Sequence, residues 1–367
     1  MTGAEHWHDV RTILCVRLDN LGDVLMSTPA IRALRTSGRD RRLTLLASRA
    51  GAALGPHLPD LDDVLVYDAP WVKNAADDPA EDRRMIEVLR QRNFDAAVIF
   101  TVYSQSPLPA AMMCRLAGIP KVLAHAHENP YRLLSHWVRD PEPARHVRHE
   151  VQRQLDLVAT VGASCADTRL AFTTHDADRR SLGVILARHG LSPARGWIVA
   201  HCGASAASRR YRPALYARAI SLLHACGLKV VLTGSAGERA LTAGILAQCA
   251  PRSHVIDLAG QLSLGELACL IEDARLLISN NTGPAHMAAA VGTPLVDLYA
   301  LTNPQHSPWQ VPHRLLYHDV PCRNCYSSVC PEGTSACLEG VDPRRVVAAA
   351  HELLERRAGE LTGPLVA

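Results

Sequence analysis

The sequence has no uninterrupted apolar run of about 18 residues, so it offers no candidate for a membrane-crossing helix. Its opening, MTGAEHWHDV, is polar and holds no apolar signal core, so secretion is not expected. An excess of one charge is also lacking. Lys and Arg number 39 against 36 Asp and Glu, and the net charge of +3 is too small to argue for nucleic acid by itself. No GxGxxG string occurs, which removes the usual dinucleotide fingerprint. The cysteines do not pair up as a disulfide framework. There are 11, an odd count, and most sit singly inside apolar runs, as reduced buried thiols do in the cytosol. The expected location is therefore cytoplasmic, with at most a peripheral association with the inner face of a membrane.

A chain of 367 residues with 48% hydrophobic content exceeds a single core and is expected to form two domains. Short apolar runs read as parallel strands at Arg11–Leu18, Leu43–Ala47, Val64–Tyr67, Ala96–Phe100 and Lys121–Ala124. A second series follows at Trp197–His201, Lys229–Thr233, His254–Leu258, Leu276–Ser279 and Leu295–Tyr299. Helices fit between them at about 24–35, 79–92, 107–117, 177–189, 213–226, 237–249 and 263–273, and an amphipathic helix closes the chain at 343–357. The fold class is α/β with doubly wound parallel sheets. The expected division is 1–175, 176–340, and a C-terminal helix and tail at 341–367.

One stretch organises the chain. Leu276–Tyr299 reads LLISNNTGPAHMAAAVGTPLVDLY. An apolar strand stops at Ser279, Asn280 and Asn281, which are turn and cap residues. Thr282 and Gly283 follow, then Pro284, which suits a first helical turn. A small-residue helix runs to Val291 before the next strand. Free N–H groups and the dipole at such a helix start attract phosphate. Gly283 lets a ligand approach the backbone, and His286 lies one turn in.

This string resembles the signature of the family 9 glycosyltransferases, which include the lipopolysaccharide heptosyltransferases. The Thr-Gly-Pro-x-His portion and the downstream Ala-Ala-x-Gly-Thr-Pro carry the likeness, while Asn281 stands where that family often has Asp. A second likeness lies in Arg17-Leu18-Asp19-Asn20-Leu21-Gly22-Asp23, whose last residue matches the family's proposed catalytic base. The resemblance implies a GT-B architecture, with two Rossmann-like domains facing each other across a cleft. It implies an inverting, metal-independent transfer of a sugar, namely heptose from ADP-heptose, to a saccharide or glycolipid acceptor such as lipopolysaccharide core.

The residues fit that chemistry. Transfer needs a base for the acceptor hydroxyl and positive or dipolar groups for the departing diphosphate. Asp62-Asp63, Asp77-Asp78 and Asp176-x-Asp178 flank loops and helix starts, and none looks like a metal clamp. Asp23 is the candidate base, the alternative being a helix cap. Asn20, Leu21 and Gly22 beside it are expected at the donor. Gly203 and Ser205 lie in a loop resembling the family's Gly-Ala-Ser phosphate loop. Arg209 matches a position where many relatives carry a phosphate-contacting Lys, and its planar fork suits phosphate. Glu238 matches a ribose-binding Glu, and Leu262 a hydrophobic position near the base. Asn281, Thr282, Gly283 and His286 complete the donor set.

Two features sit outside that set. Residues 130–153 are rich in Arg and His, which reads either as a solvated face or as a wall for an anionic acceptor. Cys322, Cys325, Cys330 and Cys337 lie within sixteen residues. Four thiols that close can hold a structural Zn²⁺ tetrahedrally, the alternatives being a disulfide or free thiols. The cluster follows the last expected core strand and is expected to be remote from catalysis. Two rivals stand beside glycosyl transfer: a nucleotide-sugar 2-epimerase, and a non-catalytic nucleotide-sugar-binding protein.

Overall fold

The computed structural model describes residues 7–72, 78–192, 196–249 and 255–362, the stretch 357–362 by backbone alone. Asp77 and His254 lie outside the described residues. The chain divides into two compact units, Met1–Thr173 and Thr174–Ala367.

In unit 1 the strands are β1 (Thr12–Arg17), β2 (Arg42–Ala47), β3 (Asp63–Val66), β4 (Ala96–Ile99), β5 (Lys121–Ala126) and β6 (His136–Arg139). They form one parallel sheet in the order β3-β2-β1-β4-β5-β6. Ile13 to Arg17 are all buried, as a central parallel strand covered on both faces requires. Leu14, Val16, Ile99 and Val122 pack in one apolar cluster with Met85, Leu89 and Met113 from the covering helices. Each fully buried side chain of this kind contributes roughly 1.5–3 kcal/mol.

Unit 2 repeats the plan. Its strands are β7 (Ile198–His201), β8 (Val230–Thr233), β9 (Val255–Asp257), β10 (Leu276–Asn280), β11 (Leu295–Leu298) and β12 (His313–Leu316), all parallel, in the order β12-β11-β10-β7-β8-β9. The helix Pro343–Thr362 belongs to this unit. Val346, Ala350 and Leu353 from it are buried with Ile198, Leu232 and Ile278. Both sheets have the Rossmann-like strand order, and in each the order reverses at one place, beside β1 and β4 in unit 1 and beside β7 and β10 in unit 2. Ligands of open α/β sheets bind outside the carboxyl ends of the strands at such a reversal.

The elements not anticipated include β6, β12 and the helix Glu150–Ala159. The first and last of these arise from the basic stretch, and their packing corrects one reading of it. Arg153 is 1% exposed and lies 2.6 Å from Asp140 and 2.7 Å from Glu142. Arg148 reaches Glu142 at 2.9 Å and Asp156 at 2.7 Å. These two guanidiniums neutralise acids of their own unit, because a buried charge without a partner costs several kcal/mol. They are not an anion-binding wall. Arg132, Arg139, Arg145 and His146 are exposed, as a solvated face would have them.

Candidate active site

At the carboxyl end of β1 the chain turns at Asp19 and enters the helix Leu21–Thr36. The segment Leu21-Gly22-Asp23 forms the first helical turn, so the helix starts a few residues before the expected 24. Asn20 is the N-cap, and Asp23 Oδ2 accepts the Asn20 N–H at 3.1 Å, half of a capping box. Asp23 is therefore a cap, yet its geometry goes beyond one. Its Oδ1 lies 3.2 Å from Nη2 of Arg17, and its side chain is 15% exposed. Arg17 is fully buried and also meets Glu150 at 2.8 Å. Its Nε lies 3.1 Å from Asp19 Oδ2, within ion-pair distance but without a hydrogen-bond alignment. One guanidinium thus gathers three carboxylates and fixes how Asp19 and Asp23 present themselves. Burial pushes the Asp19 carboxyl up to about 6 against the pull of Arg17, with Asp23 adding to the rise.

Asp19 also lines an open cavity of about 300 Å³ at the reversal of sheet order. Val16, Leu18, Ile99, Phe100 and Thr101 contribute from the ends of β1 and β4, and Trp71, Gln105 and Pro107 from the loops above. Gln105 Nε2 donates to Asp19 Oδ1 at 2.5 Å.

In unit 2 the corresponding reversal is tied together by Asn280 at the end of β10. Its Nδ2 donates to the carbonyls of Cys202 (2.9 Å) and Gly203 (3.1 Å), and its Oδ1 accepts the Tyr211 N–H at 3.0 Å. A fully buried amide thus holds the loop after β7 at both ends. A Cβ on Gly203 would meet the carboxylate of Glu238, so the bare glycine lets that side chain lie against the loop. Glu238 Oε2 in turn accepts the Ser235 N–H (2.7 Å) and hydroxyl (2.9 Å). His201, at the end of β7, is bonded to Thr233 Oγ1 at 3.1 Å, and burial lowers its pKa to about 4, so it is neutral.

Thr282 is the N-cap of the helix Gly283–Val291, and no side-chain cap occupies its first N–H groups. The helix ends at Gly292, whose φ of 81° is the left-handed conformation that glycine adopts without strain. His286 is buried one turn in. Asn281 is buried as well. Its Nδ2 donates to the His306 carbonyl at 2.8 Å and lies 3.4 Å from Asp297 Oδ2. Burial raises the Asp297 carboxyl to about 8, against a hydrogen bond from Asn281 and the charge of Arg209. Asp297 is therefore neutral at pH 7 and leaves the Arg209 guanidinium uncompensated. Arg209 is half-buried at the end of the turn Ala207–Arg209, while Arg210 Nε is spent on the Ala204 carbonyl at 2.8 Å. Ser205 is exposed, and Leu262 is half-buried just before the Ser263-capped helix.

The structure thus brings Gly203 to Glu238, and Arg209 to the neighbourhood of Asn281. Asn20, Leu21, Gly22 and Asp23 stand together in unit 1. Four residues add to the set: Arg17, Asp19, Asn280 and Asp297. Asp297 had a signal in the sequence, an acid inside the apolar strand LVDL. Asn280 had none beyond its place in the turn.

The cysteine segment behaves differently from expectation. It is not remote. Ser208, next to Arg209, donates its N–H to the Ser328 carbonyl (3.1 Å) and its hydroxyl to the Ser327 carbonyl (2.7 Å). The loop between Cys325 and Cys330 therefore braces the turn that presents Arg209. All eleven cysteines are free, which rules out the disulfide alternative in this structure. Among the described residues no three His, Cys, Asp or Glu side chains are arranged to hold a metal. Cys330 Sγ accepts the Ser335 N–H at 3.3 Å, and backbone donors lower its pKa.

Comparison with known proteins gives one consistent result. Residues 83–336 match the model of glycosyltransferase family 9 (heptosyltransferase). The chain is 25% identical over 284 residues to lipopolysaccharide heptosyltransferase 3 of Escherichia coli, covering 77% of this chain and 81% of that protein. A family 9 glycosyl transferase from Veillonella parvula superimposes with a TM-score of 0.77 at 20% identity, over 94% of this chain and 98% of that one. The E. coli ADP-heptose lipopolysaccharide heptosyltransferase II does so with a TM-score of 0.74 at 22% identity, over 95% and 99%. The two Rossmann-like units are those of the GT-B fold, and the chain is an enzyme, a glycosyltransferase belonging to family 9, the heptosyltransferases.

Proposed function

We propose that the protein transfers heptose from ADP-heptose to a sugar of lipopolysaccharide core, with inversion at the anomeric carbon and no metal in the chemical step. The observation that carries this reading is the pairing, at the β7–β10 reversal, of an open helix N-terminus with an arginine whose neighbouring acid is neutral. Together these supply positive potential for a leaving diphosphate without a cation. In this reading Glu238, which lies against Gly203, accepts the ribose hydroxyls. The relatives named for lipopolysaccharide and ADP-heptose support the choice of donor and acceptor class.

In unit 1 Asp23 takes the proton of the attacking hydroxyl. The acceptor oxygen then bonds to the anomeric carbon as the bond from that carbon to the phosphate oxygen breaks. ADP departs with the electron pair, its charge met by Arg209 and by the Gly283 N–H and dipole at the helix start. Arg17 holds the Asp23 carboxylate in orientation. No helix among the described residues is long and apolar enough to cross a membrane. The proposed place of action is the cytoplasmic face of the membrane that carries the glycolipid acceptor.

Incubating the purified chain with ADP-heptose and heptose-deficient core oligosaccharide tests this directly. Acceptor-dependent ADP release and an acceptor heavier by one heptose are expected. Conversion of a nucleotide sugar to its epimer would favour the isomerase, and tight donor binding without turnover the non-catalytic binder.

A further inference from the structure

We propose that Glu150 is a positioning residue for the base Asp23: acting through Arg17, it aims the guanidinium and takes up part of its charge, so that the Asp23 carboxylate keeps both its place and its pull on the acceptor's proton. The inference rests on the glycosyl-transfer reading with Asp23 as base, and deepens it.

An acid at the start of a helix ordinarily faces solvent, where the helix dipole favours it. Glu150 opens the helix Glu150–Ala159 and is instead completely buried. Capping does not explain this, because His149 is the N-cap and its Nδ1 accepts the Val151 N–H at 3.2 Å. A carboxylate is buried at a cost that only a well-placed cation and hydrogen bonds offset. Glu150 Oε1 accepts from Arg17 Nη1 at 2.8 Å and from Gln154 Nε2 at 2.7 Å. Gln154 Nε2 also reaches the Thr101 carbonyl at 3.0 Å, as does Arg153 Nε at 2.9 Å, and Thr101 lies just past β4. Glu150 is thereby tied to the ends of β1 and β4. Its helix also packs on Leu21–Thr36, the helix that carries Asp23.

The guanidinium is planar, so holding one of its nitrogens fixes the aim of the others. With Nη1 on Glu150, Nη2 lies 3.2 Å from Asp23 Oδ1 and Nε lies 3.1 Å from Asp19 Oδ2. Exposure separates the roles of the three acids. The side chains of Asp19 and Asp23 are 12% and 15% exposed, within reach of a ligand, while that of Glu150 is 0% exposed and cannot touch one. The charge of Glu150 counts as well as its place. Burial works against the Arg17 cation, and the charge of Glu150, ahead of those of Asp19 and Asp23, holds its pKa above the ordinary value. Without that charge the guanidinium would pull harder on Asp23 and make it a weaker proton acceptor.

The test is a double-mutant cycle on the full chain, with ADP-heptose and heptose-deficient core oligosaccharide, read by ADP release. Glu150→Gln keeps the shape and one oxygen for Arg17 but removes the charge. It is expected to lower kcat about tenfold while KM for the donor and ADP affinity stay within about twofold of wild type. In the Asp23→Asn background, where no base remains to be positioned, the same substitution should change kcat by less than about twofold. A kcat unchanged by Glu150→Gln, a parallel loss of ADP affinity, or an equal fall in both backgrounds would each overturn the inference, the last marking Glu150 as structural. Where Glu150→Gln does not fold, Gln154→Met, which releases Glu150 from the end of β4, takes its place in the same cycle, and a loss of about threefold is expected only beside an intact Asp23. Absence of transfer by the wild-type chain would overturn the proposed function and this inference with it, a result distinct from an additive cycle, which overturns the inference alone.

Discussion

Asp297 offers a perturbation whose size follows from the structure. It is fully buried in β11, its Oδ1 has no partner among the described residues, and burial raises its pKa from an ordinary 3.8 to about 8. A carboxyl whose folded pKa lies above its unfolded value binds protons on folding. Its contribution is fully favourable below about pH 4 and is lost progressively as pH rises to about 8. Between pH 5 and pH 8 the loss is on the order of 4 kcal/mol by linkage. Asp297→Asn keeps the shape of the protonated acid, retains an oxygen for the Asn281 amide and cannot ionise. Other titrating groups are common to both proteins and cancel in the difference. The stability gap between Asp297→Asn and wild type should therefore widen by on the order of 4 kcal/mol from pH 5 to pH 8, or roughly 10 °C in melting temperature for a unit of this size. Urea unfolding of both proteins at the two pH values measures it. A gap that stays constant with pH would show that Asp297 is ionised throughout, and would remove the neutral neighbour that leaves Arg209 free for phosphate.

Three further outcomes follow from the same site. Arg209→Ala should weaken donor binding and transfer by about 2 kcal/mol, the loss of one charge-assisted contact, measured by calorimetry with ADP and by initial rates. Unchanged values would move the role to another cation. Gly203→Ala should displace the Glu238 carboxylate and lower ADP affinity by roughly tenfold with little change in melting temperature, since the obstructed group is the end of a flexible side chain. Elemental analysis and thiol titration should find less than stoichiometric zinc and freely reacting Cys322, Cys325, Cys330 and Cys337. One zinc per chain with four protected thiols would mean that the segment rearranges to gather them.

Much of this was legible in the sequence because parallel strands buried on both faces are short apolar runs. Ile198–His201, Val230–Thr233 and Leu276–Asn280 stand out for that reason. Edge strands are not so marked. His136–Arg139 alternates half-buried with exposed side chains and carries charge, and His313–Leu316 is only half-buried over most of its length, so neither reads as a core strand. The candidate site was visible where residues are close in sequence, as with Asn20 to Asp23 and Asn281 to His286. Contacts closed by tertiary structure were not. Arg17 meets Glu150 and Gln105 meets Asp19 across most of unit 1, and Ser208 meets Ser328 across unit 2. The basic stretch misled for a related reason. A guanidinium in a list of charges looks alike whether it faces solvent or, as Arg153 does, is sealed between two acids.

The central claim is that Asp23 removes the acceptor's proton and does more than cap the first helix. Asp23→Asn keeps the side chain's shape and an oxygen for the Asn20 N–H, so folding and ADP affinity should be close to wild type. Turnover with ADP-heptose and a core oligosaccharide, measured on the same purified variant, should fall by roughly 10²–10⁴-fold. Turnover within a few-fold of wild type would contradict the account and leave Asp23 a helix cap alone.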